Sequence, residues 1–414
     1  MALLRPFNCV RPIKEFVEKV AALPYDVVNE EEVYELIKNN SYSFLRVDRA
    51  EVDFDGKIDP YDKKVYLKAK ENFNEMLKNN VYIKEDKPCL YLYKLTMDGR
   101  SQIGIVGCTS IDDYLNNIIK KHEHTRKDKE KDRINHVDYL NANTGPIFLT
   151  YRNENEIDDL IEKWTNDNGA LYDFTSDDNI IHTIWKIDDN TVIQKLQQYL
   201  GEMKSVYIAD GHHRAASAVK VGMKRRETNK DYTGKEEFNY FLSVLFPHNQ
   251  LKVFAYNRVV LDLNGNTKEQ FLHKVLKKFH ITKMDTNKVY VPNKRKTFGM
   301  YLDGCWYELI SKSEQQSDRT TVMELDVSIL QNDLLNPILG IEDPTTSKRI
   351  EFVGGIKGIK ELEKRVHTDM EVAFLLYPTS IEELMSISDL GDIMPPKSTW
   401  FEPKLRSGIF VHEI

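Results

Sequence analysis

No apolar run in this 414-residue chain reaches the ~18 residues that read as a membrane span. Its first stretch, MALLRPFNCVRPIKEF, lacks the basic-then-apolar layout of a secretory leader. The expectation is a cytoplasmic protein with no membrane partner. Cysteine is sparse. Cys9, Cys89, Cys108 and Cys305 are scattered and form no CxxC pair. That argues against a zinc ribbon or a disulfide framework and for reduced, buried thiols. Positive charge is not in excess either: 58 Lys and Arg stand against 65 Asp and Glu, a net −7. No global field draws such a chain to nucleic acid. There is no GxxxxGK(S/T) phosphate loop, no GxGxxG after a strand and no HExxH. The glycine-rich run Val353 to Gly358 matches none of these, and His122-Glu123-His124 is too closely spaced for the last. No repeat or low-complexity stretch is visible. What remains is 41% hydrophobic and 30% charged, enough for a core and a solvated surface.

The patterning reads as α+β. Helices are expected over 30–40, with Asn29 as cap, and over 60–80. SYSFLRVD (41–48) reads as a strand. Residues 89–110 read as a hairpin turning at Met97-Asp98-Gly99-Arg100. Residues 111–135 look helical and highly charged. Then strands and helices alternate: strands at 146–152, 180–187 and 205–210, helices at 157–166, 191–203 and from 212. Strands at 238–247 and 251–263 follow. Beyond 263 the spacing predicts a helix over 269–279 and a hairpin over 297–310. Further helices fall at 327–339, where Pro337 interrupts, at 358–366 and at 381–391, with a strand at 371–378. A boundary near 265 gives two regions, 1–264 with a mixed sheet and a smaller α+β region at 265–414.

Four stretches carry chemistry. In SVYIADGHHRAASAVKV a buried strand ends at Asp210-Gly211 and a helix begins. Glycine lets a backbone approach a ligand, and the first helical turn offers unpaired N–H groups. This is an anion site in outline. His212, His213 and Arg214 would add side-chain donors, Arg214 as a bidentate fork. The other readings are a purely structural turn and metal ligation, although adjacent histidines rarely face one ion from a helix. In KKHEHTRKDKEKDR (120–133), seven of fourteen residues are Lys or Arg and four are Asp or Glu. Such a run is either a solvated helix face or a cationic segment holding one carboxylate, which suits phosphoryl transfer. Lys121, His122, Glu123 and Arg126 are its candidates, with His122 and Arg126 sharing a face if it is helical. In AALPYDVV, Asp26 follows a proline bend as a base, a magnesium ligand or a cap. In MPPKSTWFEPKLRSGIFVH, Lys397 and Ser398 sit in an irregular cationic segment, 394–408, that suits either a lid over an anion or a docked terminus.

These stretches together resemble a bacterial family of unassigned function, DUF 1015. The resemblance runs through FNCVRPIKEFVEKVAALPYDVV, SYSFLRVDRAEVD, KKHEHTRKDKEKDRINHVDYLNANTGPIFLTY, YIADGHHRAASA, LKVFAYNRVV and MPPKSTWFEPKLRSG. More distantly, the strand–DGHHR–helix element is similar to the phosphate-binding element of the ParB/sulfiredoxin-like superfamily. Its members include CTP-binding ParB proteins, ATP-using sulfiredoxin and free-serine kinases with a DGH-x-R sequence. The resemblance carries phosphate contact to Asp210, Gly211, His212 and Arg214. His213 stands where the kinases have threonine. In LKVFAYNRVV the family often has histidine where this chain has Asn257, although Arg258 remains. The helix-turn-helix of ParB has no counterpart here.

The resulting expectation is a nucleotide-dependent phosphotransferase acting on a small hydroxylated metabolite, an amino acid such as serine by analogy. ATP or ADP, or else CTP, would bind with Mg²⁺. Asp210, Gly211, His212, His213, Arg214, Arg126, Lys397 and Ser398 would hold the nucleotide. Lys121 and His122 would neutralise charge, and Glu123 or Asp26 would accept the hydroxyl proton. The alternatives are a nucleotide-sensing regulator without turnover and a metal-dependent hydrolase using His122, His124, His212 and His213. Oligomeric state is open.

Overall fold

The computed structural model describes residues 3–54, 56, 58–285, 288–313 and 321–414. The chain forms two units. The first holds Met1–Lys121, Thr125–Leu251 and Pro403–Ile414; the second holds His122–His124 and Lys252–Glu402. The division is therefore not the single cut at 264/265 that composition suggests. The last residues rejoin the first unit by pairing His412–Glu413 with Ala142–Asn143 and bridging Val411 to Val10. Pairing between such distant segments leaves no local signal.

In the first unit, nine strands among the described residues form one mixed sheet. From one edge they run Ile119–Lys120, Val206–Asp210, Ile147–Tyr151, Tyr240–Pro247, Arg100–Ser110, Leu90–Met97, Ile181–Ile187 and Tyr172–Thr175. Leu4–Arg5 pairs with Arg100–Ser110 off this path. Val206–Asp210 runs parallel to Ile119–Lys120 and antiparallel to Ile147–Tyr151. The central hairpin turns at Asp98 (φ 52°) and Gly99 (φ 76°), the two left-handed positions that a tight hairpin favours. One sheet face buries Leu92, Ile105, Leu149, Ile208 and Leu245 with Ile157 and Ile161 of helix Asn155–Asp167. Ile193, Leu196 and Leu200 of helix Asn190–Glu202 join them. Both helices show the three-to-four-residue spacing of a core-facing stripe.

SYSFLRVD is not a strand. Leu45–Asp48 is a single helical turn, followed by a 3-10 turn at Ala50–Asp53. Its aromatic and β-branched residues favour a strand, but a strand would point Phe44 and Leu45 to opposite faces. Here Phe44, Leu45 and Val47 all pack in one cluster with Val65, Ala69, Phe73 and Met76 of helix Lys63–Lys78. Tertiary burial overrides propensity, and Asp48 closes the helical turn. Helix Glu30–Ile37 has the expected Asn29 cap, with Glu32 completing a reciprocal capping box.

The second unit contains an antiparallel sheet ordered Phe279–Lys283, Cys305–Ser311, Thr297–Leu302, Val372–Leu376, Tyr256–Val260, Ile350–Gly354. Helix Ile359–Thr368 covers one face, Leu362 packing with Val259, Tyr301, Ala373 and Leu375. LKVFAYNRVVLDL breaks at Ala255. Lys252–Phe254 pairs with Trp400–Glu402, while Tyr256–Val260 pairs with two strands of the main sheet. The helix expected over 327–339 is a turn, Asp326–Leu330, that widens into a π-helix at Gln331–Leu335. Pro337 cannot donate an N–H and clashes with the carbonyl four residues back, which a wider turn relieves. Helix Ile381–Leu390 ends at Gly391 (φ 77°), as its glycine cap predicts. No helix among the described residues is long and apolar enough to cross a membrane.

Candidate anion site

The strand Val206–Asp210 carries a register shift between Ile208 and Asp210. The backbone then turns through Gly211 at φ 95°, and helix His212–Thr228 begins with no side-chain cap. Only glycine holds that φ without strain. A Cβ there would also lie 3.2 Å from the Arg214 guanidinium. The glycine thus lets Arg214 fold back over the first helical turn. Its Nη1 donates to the Pro146 carbonyl at 2.6 Å, and its Nη2 lies 3.8 Å from Asp210.

Asp210 is held from the far end of the chain: Lys404 Nζ lies 3.3 Å from its carboxylate. Burial would raise the Asp210 pKa, but Lys404 and Arg214 outweigh it and hold the carboxyl at about 2. A permanently charged Asp210 serves here as a brace for two cations rather than as a proton carrier.

Around Arg214 lies a cleft enclosing about 410 Å³, open mouth included. Tyr25, Asp48, Arg133, His136, Asn143 and Ser407 are among its lining residues. Arg133 is buried, pairs with Asp132 at 2.8 Å, and stacks 4.0 Å over the Tyr25 ring. Asp132 also accepts the Tyr66 hydroxyl at 2.9 Å. Burial disfavours the Arg133 charge, yet Asp132 and Tyr25 more than compensate and raise its pKa. Burial pushes the Tyr25 phenol up, with Asp26 adding to the rise.

His136 Nε2 lies 3.1 Å from the Val47 carbonyl. A carbonyl only accepts, so Nε2 carries the proton and Nδ1 is left as the basic atom. Burial and then the Arg133 charge push the His136 pKa down to about 4. The imidazole is therefore neutral near pH 7. Asp48 stands 3.6 Å from it and accepts the Thr144 hydroxyl at 3.1 Å.

Two lining donors are buried without a hydrogen-bond partner among the described residues: Arg214 Nε and Asn143 Nδ2. A buried donor left unmade costs about 1–3 kcal/mol. Two in one cleft, beside a second guanidinium, describe a place prepared for an anion.

The charged run near residue 125 joins this site, but not as a continuous helix. Residues 121–126 are irregular and helix Lys127–Leu140 begins after Arg126. The expected His122–Arg126 helical face therefore does not exist. No apolar stripe precedes Val137 to seat an earlier turn. Arg126 donates its backbone N–H to His213 Nε2 at 3.0 Å, while its side chain pairs with Asp128 in solvent. Ser217 donates to the Glu130 carbonyl at 3.1 Å, and Lys220 pairs with Glu130. Residues 125–133 and 212–220 therefore pack along one another. This helix buries Glu130, Asp132, Arg133 and His136, so its polar residues face inward.

The other sequence candidates are placed as follows. Gly211 and His212 are buried at the turn, and Asp26 is exposed beside Tyr25. Lys121 packs its ammonium 4.2 Å from the Tyr114 ring, and burial lowers its pKa. His122, Glu123, Lys397 and Ser398 belong to the second unit. There the His122 carbonyl accepts from Met394 N at 2.8 Å. Ser398 Oγ donates to the Pro395 carbonyl at 2.5 Å, and Lys397 lies 5.5 Å from the Tyr256 ring. Residue-level reading missed Tyr25, Asp48, Arg133, His136, Asn143 and Ser407. Each nevertheless falls inside a segment that carried the family resemblance.

A family model described as a protein of unknown function, DUF1015, matches residues 4–328. No curated protein matches. Among solved structures, a free serine kinase variant in complex with ADP is similar at 12% identity and TM-score 0.35, over 73% of this chain and 92% of that one. A free serine kinase in complex with AMP gives 12%, 0.35, 73% and 91%. SbnI with a C-terminal truncation from Staphylococcus aureus gives 10%, 0.38, 73% and 85%.

Proposed function

The chain belongs to the DUF1015 family, and we propose that its first unit binds nucleotide phosphates at the Gly211 turn and transfers a phosphoryl group to a small hydroxylated metabolite. The observation that carries this reading is the pair of unpartnered buried donors, Arg214 Nε and Asn143 Nδ2, in one cleft with Arg133. Phosphoryl transfer asks a protein mainly for positioning and for cations around the equatorial oxygens. Arg214 and the first amides of helix His212–Thr228 take the phosphates. Arg133, braced by Asp132, spreads the charge further.

The metabolite's hydroxyl needs an acceptor for its proton. Asp26 and Glu123 are the sequence candidates. Asp48, which lines the cleft beside the neutral His136, takes this role within the first unit. ATP or ADP is the favoured nucleotide, with CTP as the variant, and an amino acid such as serine is the favoured acceptor class. Magnesium would enter with the nucleotide, its shell completed largely by phosphates and water. The ion would neutralise phosphate charge.

Thermal unfolding with ATP, ADP and CTP, with and without Mg²⁺, tests binding. A nucleotide at ~100 times its dissociation constant adds about 2.7 kcal/mol. The proposal fails if no nucleotide raises the melting temperature, or if Arg214→Ala responds equally. Mass spectrometry of a metabolite pool incubated with protein and ATP then separates turnover from sensing: a new phosphorylated product is required.

A further inference from the structure

Among the described residues, four arginines are buried: Arg11, Arg133, Arg258 and Arg406. Three are matched to carboxylates. Arg11 meets Glu85 at 2.6 Å, Arg133 meets Asp132 at 2.8 Å, and Arg406 meets Asp178 at 2.5 Å. Arg258, in the second unit and only 3% exposed, is the exception. Its Nη1 donates to the Tyr256 carbonyl, and its guanidinium carbon lies 5.1 Å from the Phe352 ring. No carboxylate pairs with it, and Nε and Nη2 have no acceptor among the described residues.

A buried cation without an anion is strongly unfavourable. Burial draws the Arg258 pKa down to about 10, and only Tyr256 offsets it. The guanidinium lies beside half-buried aromatics. Tyr256 stands edge-on to Phe352 at 6.0 Å and to Trp400 at 5.1 Å. Exposed Lys397 places its ammonium 5.5 Å from the Tyr256 ring. Gly354 permits this approach: a Cβ there would lie 2.9 Å from the Trp400 ring. The result is a buried guanidinium fork, aromatic walls and a second cation beside them.

We propose that Arg258 is the floor of a second anion site, in the second unit, taking a compact oxyanion (phosphoryl or carboxylate) in bidentate fashion on Nε and Nη2. A carboxylate and a phosphoryl oxygen pair match that fork equally well, so the two sources are separated by experiment. The inference does not rest on the function proposed for the Gly211 cleft.

The test uses the full chain in an Arg214→Ala background, which removes the first unit's response. Inorganic phosphate and acetate are titrated at constant ionic strength, with chloride as the reference. The site predicts a rise in melting temperature with phosphate, acetate or both, and the responding anion names the class. Arg258→Met should weaken that response roughly tenfold or more, and in chloride alone it should be at least as stable as the parent. In parallel, the Arg258 Nε–H resonance of ¹⁵N-arginine-labelled wild-type protein should shift on anion addition, which keeps the test decisive if Arg258→Met does not fold. An unmoved resonance, or equal loss of stability by Arg258→Met with and without anion, overturns the proposal and leaves Arg258 structural.

Discussion

Lys404 Nζ lies 3.3 Å from the Asp210 carboxylate, although 194 residues separate them in sequence. This contact ties the C-terminal segment to the turn on which the anion site is built. Asp210 sits at about 2 against an ordinary value near 3.8. A depressed carboxyl pKa stabilises the fold above its unfolded value, and that stability is lost as pH falls through the folded value. Lys404→Met should therefore cost on the order of 1–2 kcal/mol at pH 7. The gap to wild type should narrow as pH drops from about 4 to about 2. Denaturant unfolding across that range checks it; a gap that stays constant with pH would show that Lys404 acts through packing alone.

Gly211→Ala places a side chain at φ 95° and 3.2 Å from the Arg214 guanidinium. The left-handed backbone alone costs roughly 1–2 kcal/mol. The steric push also moves Arg214 off the Pro146 carbonyl, so affinity for nucleotide should fall along with stability. The variant's melting temperature and its nucleotide response, measured together, check both. Intact binding in a destabilised variant would mean that Arg214 does not depend on the glycine.

Two buried histidines make the first unit acid-labile. Burial pushes His136 to about 4 and His182 to about 3, from an ordinary 6.5. In each case a neighbouring arginine adds to the shift, Arg133 for His136 and Arg406 for His182. Both stay neutral in the fold where the unfolded chain takes a proton. Stability is thus full above about pH 6.5 and declines as pH falls toward 4 and 3. Each histidine adds a slope of up to about 1.4 kcal/mol per pH unit. His136→Gln and His182→Gln should each flatten the curve between pH 6.5 and 5, whatever they do to stability at pH 7.5. Ring resonances assigned to His136 or His182 that titrate near 6.5 in the folded protein would contradict this.

Local elements were largely legible, because periodicity and caps are local. The Asn29 cap, the Asp98-Gly99 turn and the Gly391 helix end all follow from residues within a few positions of one another. The strand–Gly211–helix turn was legible for the same reason. The rest of the cleft was not. Asp48 reaches it through a helical turn that propensity reads as a strand. Arg133 ends a run whose charges suggest a solvated face and His136 follows it, yet Tyr25 and Val47 give them buried partners from distant segments. Ser407 arrives with a C-terminal segment that only long-range pairing returns to the first unit. Buried polar networks of this kind are specified by tertiary contacts, and no window of sequence contains them.

The central claim is that Arg214 and its neighbours form a site for nucleotide phosphates. Isothermal titration of ATP into wild type and Arg214→Ala tests it most directly. The account predicts saturable binding to wild type, weakened at least about tenfold in the variant by loss of a charge-assisted bidentate contact. No heat of binding with ATP, ADP or CTP, or equal affinities for the two proteins, would contradict it.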